Sequence, residues 1–111
     1  MVRFMVSNYQ KGVWSEWVIS VYLQMLGYKI LSKRFKTKLG EIDLIARKKD
    51  VLVFVEVKNR KSLSDALGVV DRRTQLRIVN AAKLFVQKHP SEGRGGFRFD
   101  VIALYSGLCV R

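Results

Sequence analysis

Apolar positions recur along this chain with two different periods. Between about Lys11 and Leu26, Trp14, Trp17, Val18, Val21 and Met25 follow the three- and four-residue spacing of a helix, and Gly27 supplies its stop. Ile19, Leu23 and Leu26 add a second stripe, which predicts a helix buried on more than one side. From residue 28 the runs shorten. "YKILSKRF" (28–35), "GEIDLIAR" (40–47) and "VLVFVEVK" (51–58) read as strands, and the short link between the last two implies an antiparallel hairpin turning at Lys49-Asp50. The third run is apolar on both faces until Glu56, as in a central strand covered on both sides.

After a loop containing Ser62, Ser64 and Gly68, a second helix is predicted from about Asp71 to Lys88. Leu76, Ile78, Val79, Ala82, Phe85 and Val86 form its apolar surface, and His89-Pro90 ends it. "SEGRGG" (91–96) is a loop, "FRFDVIALY" (97–105) a further strand and "LCVR" (108–111) a candidate short final one. A helix between two strands suggests a right-handed parallel crossover. The prediction is one α/β domain over residues 1–111, with an α-β-β-β-α-β core and a central mixed sheet flanked by helices.

Composition narrows the function. The 111 residues carry 21 Lys and Arg against nine Asp and Glu, a formal net charge of +12, which calls for an anionic partner. The cations cluster in "KRFKTK" (33–38), "RKK" (47–49), "KNRK" (58–61) and "RR" (72–73), a footprint for nucleic acid. Only Phe35 is interleaved with them, too little aromatic surface for single-strand stacking. Neither helix has the basic amphipathic face of a membrane-surface segment, and no apolar run approaches the roughly 18 residues of a membrane span. The start of the chain has no secretory apolar region, and the single cysteine, Cys109, cannot form an intrachain disulfide, so a cytoplasmic protein is expected.

Charge inside the strand runs is the unusual feature. Glu41 and Asp43 share one face of their strand by alternation, and Glu56 and Lys58 share one face of theirs. With the hairpin turning on Lys49-Asp50, residues whose numbers sum to 99 lie opposite each other, so Asp43 faces Glu56 and Glu41 faces Lys58. Facing carboxylates repel, and a divalent cation reverses that sign. One histidine and one cysteine make a zinc site of the usual kind a poor fit, whereas hard carboxylate oxygens suit Mg2+ or Mn2+. Lys58 would hold an attacking water or offset charge developing on a phosphate. The alternative is salt bridges, Glu41 with Lys58 and Asp43 with a nearby cation. Glu16, in the first turn of the first helix, reads by itself as an acid favouring the helix dipole.

Asp43 followed by "EVK" (56–58) resembles the signature of PD-(D/E)xK nucleases, here without a proline before the aspartate. The longer string "LGYKILSKRFKTKLGEIDLIARKKDVLVFVEVKNR" is similar to the YraN-type family of bacterial proteins, and the likeness runs from Gly12 and Glu16 through "RFDVIAL" (98–104). That resemblance implies a restriction-endonuclease-like fold, related to archaeal Holliday-junction resolvases, and a metal-dependent nuclease site. Asp43 and Glu56 would be metal ligands, the Val57 backbone carbonyl a third, Lys58 the catalytic lysine and Glu16 the carboxylate completing the site. Thr74-Gln75 stands where the family tends to have Lys-Gln, which removes a lysine from any phosphate contact by that helix; Ser15 replaces a common glycine.

The leading expectation is a Mg2+-dependent (or Mn2+-dependent) nuclease acting on structured, branched or damaged DNA, with DNA favoured over RNA and a homodimer left open. Lys33, Arg34, Lys36, Lys38, Lys48, Lys49, Arg60, Lys61, Arg72, Arg73 and Gln75 are the candidate nucleic-acid contacts. A nucleic-acid-binding or accessory protein that keeps the fold without cleaving, and an RNA-processing nuclease, are the alternatives.

Overall fold

The computed structural model describes residues 6–8, 15–60 and 71–105, and the side chains within them except those of residues 6–8, 15–16, 58–60 and 103–105. In chain order the elements are β1 (Val6–Asn8), α1 (Ser15–Met25), β2 (Lys29–Lys36), β3 (Glu41–Lys48), β4 (Val51–Arg60), α2 (Arg72–Lys88) and β5 (Gly96–Tyr105). They build a mixed five-stranded sheet in the order β1-β5-β4-β3-β2. The α/β core foreseen from the sequence is present, with β4 central between antiparallel β3 and parallel β5. β1 is an addition: three residues that pair parallel with β5 at the sheet edge. The candidate strand at 108–111 and the loop at 62–68 lie outside the described residues.

Two apolar clusters form on opposite faces of the sheet. Ile19 and Leu23 of α1 pack with Leu44, Ala46, Val53, Val55 and Ile102 on one face. Ile78, Ala81, Ala82 and Phe85 of α2 pack with Ile42, Ile45, Leu52 and Phe54 on the other. Phe54 stacks on Phe99 at 5.2 Å, and Phe85 meets Phe35 edge-on at 5.4 Å, tying α2 across β2, β4 and β5. The second stripe of α1 is therefore the core stripe. Trp17, 57% exposed, and Met25, 80% exposed, belong to the first and point away from the sheet. Leu76 of α2 is likewise 59% exposed, and Ala81 takes a core position instead.

The helix ends follow local chemistry. The Asp71 carboxylate accepts the Thr74 amide at 2.8 Å, satisfying one of the donors left over at the start of α2. The β3–β4 turn falls on Lys49-Asp50, with Lys49 at φ 56°, and the register runs from Lys48↔Val51 to Leu44↔Val55 with every sum equal to 99. Among the described residues no helix is long and apolar enough to cross a membrane.

Candidate functional site

The sheet loses its regularity where the charged residues stand. Strict alternation would put Ile42 and Leu44 on one face, but Ile42 packs against α2 and Leu44 against the α1 side. On β2, Phe35 pairs with Ile42 and Lys33 with Leu44, which leaves Arg34 and Asp43 between two paired positions. Arg34 has φ 52°, a left-handed conformation that costs a non-glycine residue about 1–2 kcal/mol. Both strands thus change face together at Arg34 and Asp43.

The β3–β4 pairing also stops there. Its last register pair is Leu44↔Val55, one short of the expected Asp43–Glu56 pair. Beyond it the Val57 N–H donates to Asp43 Oδ2 at 2.7 Å, a carboxylate standing where a strand carbonyl would ordinarily accept. Asp43 and Glu56 therefore line one cleft beyond the last ladder pair, rather than standing as a directly opposed ladder pair.

That cleft encloses about 250 Å³ and is lined by Glu41, Asp43 and Glu56 from the sheet and by Thr74, Arg77 and Ile78 from α2. A second, of about 200 Å³, is lined by Arg34, Lys36, Glu41, Ile42 and Asp43. Glu41 and Asp43 border both. The Thr37–Gly40 turn sets the start of β3: Thr37 N–H donates to the Gly40 carbonyl at 2.8 Å, and Thr37 Oγ1 accepts the Leu39 and Gly40 amides at 3.1 and 3.0 Å. Gly40 is buried against α2 so tightly that a Cβ would overlap the Arg77 backbone carbonyl.

Several predicted site residues are placed differently from one another. Glu16 lies in the first turn of α1, whose packed residues Ile19 and Leu23 cover the face opposite the one that α2 and the cleft occupy. Lys58 follows Glu56 by two residues in β4, in register with Ala103. The side chains of Glu16 and Lys58 lie outside the described ones. Val57 lends its amide to Asp43 and packs its side chain on the α1-side cluster. Glu41 makes no ion pair among the described residues.

Of the basic candidates, Arg34 and Lys36 line the second cleft and Lys33 and Lys38 are exposed nearby in sequence. Lys48 and Lys49 are at the far end of the hairpin, roughly 20 Å of strand from Asp43. Lys48 Nζ lies 5.2 Å from the centre of the Tyr28 ring. Arg72, Arg73 and Gln75 are exposed on the first turn of α2 and do not line the cleft. The Arg60 side chain and Lys61 fall outside the description. Thr74, noted in the sequence only as standing in place of a lysine, and Arg77, not among the candidates, are the α2 polar residues that do line it; their three-residue spacing, next to core Ile78, is the signal that places them on one face.

Asp43 and Glu56 offer the hard oxygen donors that Mg2+ takes, and that ion is commonly held by one or two carboxylates plus water and substrate phosphate. The donor chemistry fits. Among the described residues no group of three or more His, Cys, Asp or Glu is arranged to hold a metal ion.

Residues 15–104 match the model of the uncharacterised protein family UPF0102. A UPF0102 protein of Nitrobacter winogradskyi is 43% identical over 99 residues, covering 89% of this chain and 84% of the relative. One from Rhodopseudomonas palustris is 40% identical over 106 residues, covering 96% and 82%. One from Agrobacterium fabrum is 43% identical over 95 residues, covering 86% and 78%.

Proposed function

The chain belongs to the uncharacterised protein family UPF0102, and we propose that it is a divalent-metal-dependent nuclease acting on structured, branched or damaged DNA. One observation carries this reading: a protein of net charge +12 directs three of its nine carboxylates into a single cleft. Like charges gathered this way are costly unless a cation or a proton offsets them. The surrounding surface is basic, so a phosphate backbone is the anion most suited to approach it.

In this reading Asp43 and Glu56 hold Mg2+ or Mn2+, with the Val57 carbonyl as a further donor; Glu16, on the helix that covers the other face of the sheet, is left out of the set. Bound there, the ion supplies Lewis-acid polarisation of the scissile phosphate and of water. The Val57 amide fixes the orientation of the Asp43 carboxylate. Lys58 holds the attacking water and offsets charge developing on the phosphate. Arg34 and Lys36 draw the backbone toward the open side of the site.

The test is a cleavage panel of hairpin, flap, four-way-junction and single-stranded DNA and RNA in Mg2+ or Mn2+. The native protein should cut, and Glu56→Ala should abolish cutting; equal activity in that variant would assign the cleavage to a contaminant or another site.

A second reading, a nucleic-acid-binding protein that does not cleave, is supported by the Asp43 carboxylate already serving the fold as acceptor of the Val57 amide. Calorimetry separates the two. If Mn2+ binds the native protein no better than Asp43→Ala, the catalytic reading fails.

A further inference from the structure

We propose that Arg77 is the phosphate-binding residue of the cleft, with the Thr74 hydroxyl beside it, and that the close approach of Gly40 to α2 positions it there. The inference rests on the nucleic-acid reading above and assigns its anion contact within the cleft to residues other than the basic clusters.

Four observations converge on Arg77. It lines the same cleft as Glu41, Asp43 and Glu56. It is exposed and makes no ion pair among the described residues, although three carboxylates border that cleft. Its backbone is fixed against Gly40, where any side chain would collide with the Arg77 carbonyl. Its neighbours fix its direction: Ile78, one residue on, is buried in the α2-side core, and Thr74, one turn earlier, lines the cleft.

The electrostatics give the residue a task. A polyanion entering a cleft walled by three carboxylates meets repulsion at the point where the chemistry would occur. A guanidinium in the same wall, without an ion pair among the described residues, presents a planar fork of donors that matches two phosphate oxygens. The clusters at Lys48-Lys49 and Arg72-Arg73 cannot do this, because neither lines the cleft. Gln75 cannot either, although it is the helix position singled out by resemblance.

Arg77→Ala isolates the side chain, because the contact with Gly40 is made by the Arg77 backbone, which the substitution keeps. Binding of a labelled hairpin DNA is measured in EDTA across a salt series, for the native protein, Arg77→Ala, Arg77→Lys and Lys83→Ala. Lys83 is an exposed cation of the same helix outside the cleft. Arg77→Ala should raise the Kd about tenfold, the equivalent of about 1.4 kcal/mol. It should also reduce the slope of log K against log salt by about 1. Arg77→Lys should restore the slope but only part of the affinity, and Lys83→Ala should change affinity less than threefold. Where the native protein cleaves, Arg77→Ala should raise KM more than it lowers kcat. Native binding with an Arg77→Ala protein that matches it, or that matches Lys83→Ala, overturns the assignment and leaves the cleft reading standing. A native protein that binds neither DNA nor RNA overturns the nucleic-acid reading itself, and the Arg77 assignment with it.

Discussion

The Asp43 carboxylate and the Val57 amide are bonded at 2.7 Å across the end of the β3–β4 ladder, just past the last paired residues, Leu44 and Val55. A side chain there accepts the amide just beyond the end of the paired backbone, so Asp43 has a structural duty as well as the proposed metal-binding one.

The two duties separate by substitution. Asp43→Ala removes the acceptor for a part-buried amide, which should cost about 1–3 kcal/mol in denaturant unfolding. Asp43→Asn keeps a side-chain oxygen and should lose less than half of that. Both should lose Mn2+ affinity in calorimetry. Equal destabilisation by the two variants would show that the Val57 bond is not what Asp43 contributes to stability.

Gly40 should tolerate no side chain. The obstacle to a Cβ is the Arg77 backbone, which moves only with α2 as a whole. Gly40→Ala should therefore destabilise by about 1–3 kcal/mol, the range for overpacking. Native-like stability would mean that α2 and the Thr37–Gly40 turn shift freely against each other.

Away from the cleft, Asp100 is 4% exposed, and Arg98 Nε donates to its two oxygens at 3.0 and 3.2 Å while an Arg98 terminal nitrogen donates to the Tyr28 hydroxyl. Asp100→Ala strands the guanidinium, and because Arg98 keeps some contact with solvent the cost should fall near the lower end of about 3–5 kcal/mol. Burial by itself lowers the Arg98 pKa, but the hydrogen bonds and charges of Tyr28 and Asp100 outweigh it and hold the group above its ordinary value. A cation with a raised folded pKa contributes stability that is complete below its unfolded pKa and is lost only as pH rises through the folded one. The Arg98 contribution should thus be flat through neutral pH, with DNA affinity of Asp100→Ala unchanged at temperatures where it is folded. A loss of affinity in the folded variant would place this cluster in the binding surface.

Where the chain made its own geometry local, the sequence was a sufficient guide. A two-residue turn at Lys49-Asp50 leaves one register, and the observed pairs all obey it. Where geometry depends on tertiary fit, it was not. α1 is apolar around most of its circumference, so periodicity alone could not rank Ile19 and Leu23 above Trp17 and Met25; the sheet surface decided that. The face change at Arg34 and Asp43 had no marker, because a positive φ at an arginine has no glycine to announce it. It interrupts the alternation from which the Asp43–Glu56 pair was inferred. Arg77, read along the chain, is one more surface cation; only the approach of α2 to Gly40 brings it beside the carboxylates.

Lys58 tests whether the strand charges exist for each other or for a substrate. In a salt-bridge arrangement, Lys58→Met would strip Glu41 of its partner and cost about 3–5 kcal/mol. Glu41, however, is exposed and borders both clefts. In the metal-site reading, Lys58 acts on the attacking water and on the phosphate. Lys58→Met should then keep a cooperative thermal transition, nucleic-acid affinity and Mn2+ binding, since an ammonium is no metal ligand. Cleavage should fall at least about tenfold, equivalent to about 1.4 kcal/mol in the barrier. A variant that unfolds, or one that cuts at the native rate, would remove Lys58 from the chemistry; unfolding in particular would return it to the role of a buried counter-ion.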